Sequence, residues 1–254
     1  MRNYLAISFL AVAATMAFSP GLSAETARQA EASKTQPAAV PEHDLQGVWN
    51  MHAPASQRHF ILSTYTQDEP AMTPWAKAKF EATKPSNGPR THTLQQTNDP
   101  VLKYCYPPGT PRIYLQPFPM QIVQTPKEVI ILYEYDHTVR HIYTDGRPHP
   151  PDLTPTYMGD SIGHWEDNTL VVDTIGFNDK TWLDRDGHVH SEQLHVIERF
   201  RRVDFDNMQI DITMEDPKAL EKPWNTTLYY QLKPDWHIME QVCTDNLDFL
   251  GFEK

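Results

Sequence analysis

Short apolar segments that alternate with turn residues fill the chain from residue 129 onward. They are rich in β-branched and aromatic residues, which is typical of strands. The predicted hairpins pair residues 129–135 with 138–144, 162–165 with 169–175, 195–203 with 208–214, and 226–232 with 237–242. Hairpins in series predict an antiparallel meander, and a long meander removes its edges by closing on itself. We therefore expect a mainly β fold, a closed barrel of about eight to ten strands.

One short helix is predicted on the N-terminal side of these strands. Thr73 is the expected N-cap, because its hydroxyl can accept a backbone N–H of the first turn, and Pro74 suits the first helical position. Trp75 and Phe80 supply the apolar contacts of this helix.

The first residues have the pattern of an export signal. Arg2 precedes an apolar run over residues 5–18, and the small-residue sequence Leu22-Ser23-Ala24 follows after Pro20-Gly21. We predict a signal peptide over residues 1–24, a flexible leader over residues 25–43, and a single β-barrel-like domain over residues 44–254. The expected location is therefore the periplasm or the cell exterior.

The charge balance narrows the range of partners. The chain has 22 Lys and Arg against 33 Asp and Glu, for a formal net charge of −11. Such an acidic surface repels nucleic acid, which we exclude as a partner. No stretch after the predicted signal is apolar enough to span a bilayer, so we expect no membrane insertion of the mature chain.

The two cysteines, Cys105 and Cys243, are far apart in sequence. In an oxidising compartment a single available pair favours a disulfide, and closing so long a loop restricts the unfolded chain by about 4–5 kcal/mol in the chain-entropy model. The alternative is a pair of buried free thiols.

Gly47-Val48-Trp49, at the start of the first predicted strand, resembles the Gly-x-Trp opening of lipocalin-type barrels. The resemblance implies a lipocalin-like barrel in which glycine allows close approach of the chain and the tryptophan plugs one end. We therefore expect Trp49 to be buried at one end of the barrel.

Seven of the twelve histidines lie between residues 137 and 195, and residues 184–195, DRDGHVHSEQLH, hold the densest group. In an extended chain His188, His190 and Glu192 share one face, because strand side chains alternate with a period of two. The His-x-His spacing resembles the metal motif of cupins, although Leu194 and His195 stand in the region where a cupin has its glutamate.

Three interpretations of this segment remain open. The candidate catalytic residues are Asp184, His188, His190, Glu192 and His195, with His137 from a second cluster. They can exchange protons with a substrate, or His188, His190 and His195 can ligate a divalent metal ion. The third interpretation is structural, a polar loop that enters a strand.

The second cluster surrounds the predicted turn at Asp136-His137. Candidate substrate-binding residues are Tyr135, Arg140, His141, Tyr143 and, beside the first cluster, Trp182. Arg140 and His141 lie on opposite faces of their strand, and whichever faces inward has to be paired and would mark a polar ligand site. Alternatively, both are solvated residues on the outside.

Four motifs together resemble a group of largely uncharacterised exported bacterial proteins. They are EYDHTVR (134–140), TDGRPHP (144–150), GHWE (163–166) and DRDGHVHSEQLH (184–195), and the likeness extends over residues 72–246. The resemblance implies export but no particular reaction.

Nucleophile elbows, phosphate-binding loops, dinucleotide fingerprints and Cys-x-x-Cys pairs are absent from the sequence. Histidines and carboxylates beside aromatic strands favour a periplasmic enzyme for acid/base lyase, isomerase or hydrolase chemistry, not redox chemistry. Its substrate would be an apolar or aromatic small molecule, with or without a divalent metal ion as cofactor. The alternative is a lipocalin-like carrier that binds a hydrophobic small molecule without catalysis. Convergence of His137, His188, His190 and His195 in one cavity would favour the enzyme over the carrier.

Overall fold

The computed structural model describes residues 42–245, and a closed barrel of nine strands forms their centre. The strands are β1 (Gly47–Met51), β2 (Met120–Gln124), β3 (Glu128–Tyr133), β4 (Val139–Tyr143), β5 (Asp160–Glu166), β6 (Thr169–Ile175), β7 (His195–Arg202), β8 (Asn207–Glu215) and β9 (Trp224–Leu232). They pair in chain order, and β9 closes the barrel on β1. The predicted mainly β barrel is confirmed.

Alternation of side chains explains why these segments form a barrel with a packed interior. In β8, the residues Met208, Ile210, Ile212 and Met214 are buried, while the residues between them are partly exposed. A period of two places every second side chain on the inner face, so each such strand contributes one row to the core.

One pairing departs from the predicted antiparallel meander. Strands β4 and β5 are parallel, with Ile142 opposite Ser161 and Tyr143 opposite Ile162. A tight hairpin can join only antiparallel strands, whereas the long connection 144–159 returns the chain to the same end of the barrel. The barrel is therefore mixed.

The fourth predicted hairpin is wrong in its second strand, because residues 237–242 form no strand. The segment instead packs against the turn between β3 and β4. The backbone N–H of Met239 donates to Glu134 Oε2 at 2.9 Å, and Gln241 Oε1 accepts the N–H of Asp136 at 2.6 Å. The position beside β9 that this segment was expected to fill is taken by β1.

Two α-helices lie between β1 and β2: α1 (Pro74–Ala82) and α2 (Pro100–Tyr104). Helix α1 confirms the predicted helix, with Thr73 Oγ1 accepting the backbone N–H of Ala76 at 3.3 Å. Helix α2 was not predicted, and Asp99 caps it by accepting the N–H of Val101 at 3.0 Å.

The barrel interior is filled by side chains rather than by a ligand cavity. A 3₁₀ turn at Arg112–Leu115 inserts Tyr114, whose ring meets those of Tyr133, Phe200 and Tyr230 edge-on. All four rings are buried. A carrier that holds its ligand inside the barrel is therefore not supported by this packing.

Trp49 is fully buried on β1, as predicted from the Gly-x-Trp pattern. Its indole Nε1–H donates to the carbonyl of Leu45 at 2.8 Å, and the guanidinium of Arg202 lies 5.3 Å from the ring centre. A hydrogen bond and a cation–π contact thus fix the tryptophan in place.

The predicted disulfide is confirmed, since Cys105 and Cys243 are bonded with their Cα atoms 5.7 Å apart. Among residues 42–245, no helix is long and apolar enough to cross a membrane. The predicted signal peptide and most of the predicted leader lie outside the described residues.

Candidate functional site

A tight loop after β6 positions the most distinctive side chains of the molecule. Asp184 is fully buried, and its Oδ1 accepts the backbone N–H groups of Asp186, Gly187 and His188 at 3.0–3.1 Å. Gly187 has φ +98°, a backbone conformation that strains residues with a side chain. The sequence Asp184-Arg-Asp-Gly-His188 therefore folds its own backbone around one carboxylate.

The second oxygen of the same carboxylate holds the His188 ring. Asp184 Oδ2 lies 2.6 Å from His188 Nδ1, so this nitrogen carries a proton that it donates to the carboxylate. The imidazole stacks on Phe80 of α1 at 4.4 Å between ring centres and meets Trp224 edge-on at 5.2 Å. Both the tautomer and the orientation of His188 are fixed by these contacts.

The other ring nitrogen, His188 Nε2, is buried and has no hydrogen-bond partner among the described residues. Leaving a buried polar atom unpaired costs about 1–3 kcal/mol, so native proteins rarely do it without a functional reason. A substrate atom or water at Nε2 would remove this cost.

His188 lines a cavity of about 400 Å³, the size of a small-molecule site. Its wall consists of one segment before α1, one residue of α1, the loop after α1 and the Asp184 loop; the residues include Phe60, Ser63, Glu69, Phe80, Arg90, Asp186 and His188. Two phenyl rings give the cavity an apolar side, while charged groups occupy the other positions.

Asp186 is another titratable group in the cavity wall, and it is buried. Ser63 Oγ donates a hydrogen bond to Asp186 Oδ1. Gly88 lies so close to this carboxylate that a side chain there would collide with it. The carboxylate therefore has a fixed position in the wall.

Arg90 donates hydrogen bonds to backbone carbonyl groups of the cavity wall. Its Nη1 donates to the carbonyl of Phe80 at 2.8 Å, and its Nη2 donates to the carbonyl of Asp186 at 2.7 Å. The guanidinium also lies 3.6 Å from the centre of the Phe80 ring. Arg90 thus links α1 to the loop that carries His188.

The electrostatic environment separates the pKa values of the two groups. Burial alone lowers the pKa of His188, but the charge and hydrogen bond of Asp184 outweigh it, and the pKa lies above the ordinary 6.5. Burial raises the pKa of Asp186 above its ordinary 3.8, partly offset by the hydrogen bond from Ser63. Between these two pKa values His188 is cationic and Asp186 is ionised.

The other predicted catalytic residues do not join His188 in this cavity. His190 lines a separate cavity of about 250 Å³, and Glu192 is exposed. The predicted common face of His188, His190 and Glu192 is wrong, because the backbone of this loop is not a strand and only Val189 forms a bridge, to Trp182.

Of the residues 42–245 that line the His188 cavity, none is His137 or His195. His137 is exposed in the 3₁₀ turn Tyr135–His137, and His195 is on β7. The expectation that His137 and the segment 184–195 face each other across one cavity is therefore wrong.

The predicted substrate-binding residues are also dispersed. Arg140 faces inward, is fully buried and pairs with Glu198, whereas His141 is exposed beside Glu128. Tyr143 packs under Arg147, with 4.0 Å between the guanidinium and the ring. Arg140 therefore belongs to the barrel core and does not reach a cavity.

The remaining two substrate-binding candidates are buried elsewhere. The Tyr135 hydroxyl lies 3.9 Å from Cys243 Sγ, beside the disulfide. Trp182 lines the same cavity as His190.

His195 belongs to a chain of alternating carboxylates and imidazoles between the 144–159 connection and strands β5 to β8. The contacts run Asp160–His149–Asp173–His195–Glu215, with nitrogen–oxygen distances of 2.6, 3.0, 3.1 and 3.3 Å. Each imidazole meets a carboxylate at both nitrogens, so all four contacts are hydrogen bonds only when both rings are protonated.

The arrangement does not support a metal centre on the predicted residues His188, His190 and His195. His188 and His190 line different cavities, and His195 lies on β7. Within residues 42–245, no group of three or more His, Cys, Asp or Glu side chains is arranged to hold a metal ion.

The sequence patterns missed most of the cavity wall. Phe60, Ser63 and Glu69 lie in a segment without regular periodicity, and Arg90 follows α1 in a loop. Asp186 is inside the DRDGH motif and could have been found there, since its carboxylate precedes the Gly187 turn by one residue.

Comparison of the chain with protein-family models, with curated proteins and with solved structures gives no match. The resemblance to exported bacterial proteins therefore stays a prediction.

Proposed function

We propose that this protein is an enzyme that performs acid/base chemistry on a small molecule in the His188 cavity. The observation that carries the proposal is the His188 ring, held at Nδ1 by Asp184 while the buried Nε2 has no partner. An imidazole fixed in this way can exchange a proton with a substrate that reaches Nε2.

The directions of the two pKa shifts support one assignment of roles. In the form that predominates between the two pKa values, His188 donates the Nε2 proton and the Asp186 carboxylate accepts one from water or from the substrate. Ser63 is hydrogen-bonded to Asp186 rather than to His188, which disfavours a serine nucleophile. Hydrolysis by activated water, elimination and isomerisation all use such a pair, so the reaction class is hydrolase, lyase or isomerase.

The wall of the cavity supports an apolar or aromatic substrate. Phe60 and Phe80 offer ring surfaces for stacking or apolar contact. The disulfide between Cys105 and Cys243 supports an oxidising location, so we place the activity in the periplasm or outside the cell.

The test is turnover of a panel of chromogenic aryl esters, lactones and β-hydroxy acids by the wild type and by the His188→Asn variant. Asparagine can donate to Asp184 as Nδ1 does but has no group in place of Nε2. Turnover should fall by about 10²–10⁴-fold. The matched control is His164→Asn, at an exposed histidine of β5, which should leave turnover unchanged.

The thermal unfolding midpoint of His188→Asn should stay close to that of the wild type. A folded His188→Asn variant that retains full turnover would contradict the proposal, as would no turnover of any panel substrate by the wild type.

A further inference from the structure

The cavity lined by His190 lies on the other side of α1 from the His188 cavity. Phe80 faces the larger cavity, whereas Lys79 and Thr83 line the smaller one, of about 250 Å³. The Asp184 loop is divided in the same way, with His188 on one side and His190 on the other. The two cavities therefore have no lining residue in common.

Buried aromatic and polar side chains form the floor of the smaller cavity. His190, Trp182 and Thr181 are each at most 7% exposed. His190 Nδ1 lies 3.2 Å from the carbonyl oxygen of Ser191, so this nitrogen carries the proton and donates it. Burial lowers the pKa of His190, and the neutral ring then has a lone pair at Nε2 that accepts hydrogen bonds.

The rim of this cavity carries more positive than negative charge, which is unusual in a chain with net charge −11. Lys79 and Lys180 contribute two ammonium groups, and Asp179 contributes one carboxylate. Lys79 lies 4.8 Å from the centre of the Trp75 ring, which holds it at the rim. No carboxylate of residues 42–245 is within ion-pair distance of Lys180, so its charge is available to an anion.

We infer that the His190 cavity binds a small hydroxy acid. The carboxylate of the ligand meets Lys180 and Lys79 at the rim, its apolar part packs on the Trp182 indole, and its hydroxyl donates to His190 Nε2. A volume below the usual ~300–1,000 Å³ of ligand sites restricts the ligand to a small molecule. This site is independent of the proposed acid/base chemistry at His188.

The experiment is an NMR titration of the full chain with three probes, 4-hydroxybenzoate, benzoate and inorganic phosphate, following the Trp182 indole and His190 ring signals. 4-Hydroxybenzoate should bind saturably in the millimolar range. Benzoate lacks the hydroxyl and should bind about fivefold more weakly, the effect of one hydrogen bond. Phosphate lacks the apolar part and should bind more weakly than either.

Two variants locate the site. His190→Leu should abolish the difference between 4-hydroxybenzoate and benzoate, and Lys180→Gln, an exposed substitution that spares the fold, should weaken both. The control His164→Gln should change neither. Absence of saturable 4-hydroxybenzoate binding, binding unaffected by Lys180→Gln, or equal binding of inorganic phosphate would overturn the inference.

Discussion

Arg140 and Glu198 form an ion pair at the centre of the barrel, where both side chains are sealed from solvent. Arg140 Nη1 also donates to the Tyr114 hydroxyl at 2.9 Å, and Nη2 donates to Thr174 Oγ1 at 2.9 Å. Every nitrogen of the Arg140 guanidinium therefore donates a hydrogen bond. The bond to Tyr114 also anchors the 3₁₀ turn to the barrel.

Removing one partner of this ion pair should be strongly destabilising. Glu198→Gln leaves the Arg140 charge buried without a counter-charge, and the free energy of unfolding should fall by about 3–5 kcal/mol. Urea unfolding followed by circular dichroism measures the change. The double variant Arg140→Met with Glu198→Leu should recover much of the loss, whereas a double variant less stable than Glu198→Gln would contradict this explanation.

Gly187→Ala should disrupt the Asp184 loop for two reasons. The residue has φ +98°, and an added Cβ would collide with Thr83 Oγ1. Gly146→Ala is the matched control, since φ is +80° there and nothing lies within 4 Å of the added Cβ. Gly187→Ala should therefore lower the unfolding midpoint more than the control and reduce turnover. Equal effects of the two substitutions would mean that the contact with Thr83 is unimportant.

Loss of the disulfide should destabilise the protein, because the bond holds the segment after β9 to Cys105. Replacing Cys105 and Cys243 with serine removes a cross-link between residues 138 positions apart, and the free energy of unfolding should fall by about 2–5 kcal/mol. Without the cross-link, the contacts of Met239 and Gln241 with the β3–β4 turn should protect backbone amides less from hydrogen exchange. Unchanged protection in the double serine variant would show that these contacts stand without the disulfide.

His190 should make the protein less stable in acid. Its pKa is lowered in the folded state by burial, so the unfolded chain binds the proton more readily as pH falls below about 6.5. The contribution of His190 to the free energy of unfolding is fully present above that pH. Below it, this contribution decreases by up to about 1.4 kcal/mol per pH unit. Urea unfolding at a series of pH values checks this, and His190→Leu should show a smaller loss between neutral and acidic pH. An identical slope for both proteins would contradict the assignment.

Features that depend on local signals were predicted from the sequence. The Thr73 cap and most strands follow from residues next to one another in the chain. The burial of Trp49 follows from the resemblance of Gly47-Val48-Trp49 to lipocalin-type barrels. The pairing of Cys105 with Cys243 followed because no other pair existed.

Features that depend on tertiary geometry were not predicted. The common face expected for His188 and His190 failed because the Asp184 carboxylate winds the backbone into a turn, which removes the strand period. Phe60 and Ser63 reach the cavity from an irregular segment that no periodicity marks. The sequence indicates that an inward-facing Arg140 needs a partner, but it does not show that Glu198 supplies this partner within the core.

The proposed function requires His188 and Asp186 to act as an acid/base pair, and the pH dependence of kcat/KM tests this most directly. The wild type should give a bell-shaped profile, because activity requires ionised Asp186 and protonated His188. The midpoint of the acid limb should lie above pH 3.8, because the pKa of Asp186 is raised. The midpoint of the alkaline limb should lie above pH 6.5, because the pKa of His188 is raised. Asp186→Asn should lower kcat/KM at every pH, and its residual activity should lack the acid limb while keeping the alkaline limb. A profile without an alkaline limb, or an acid limb that persists in Asp186→Asn, would contradict the central claim.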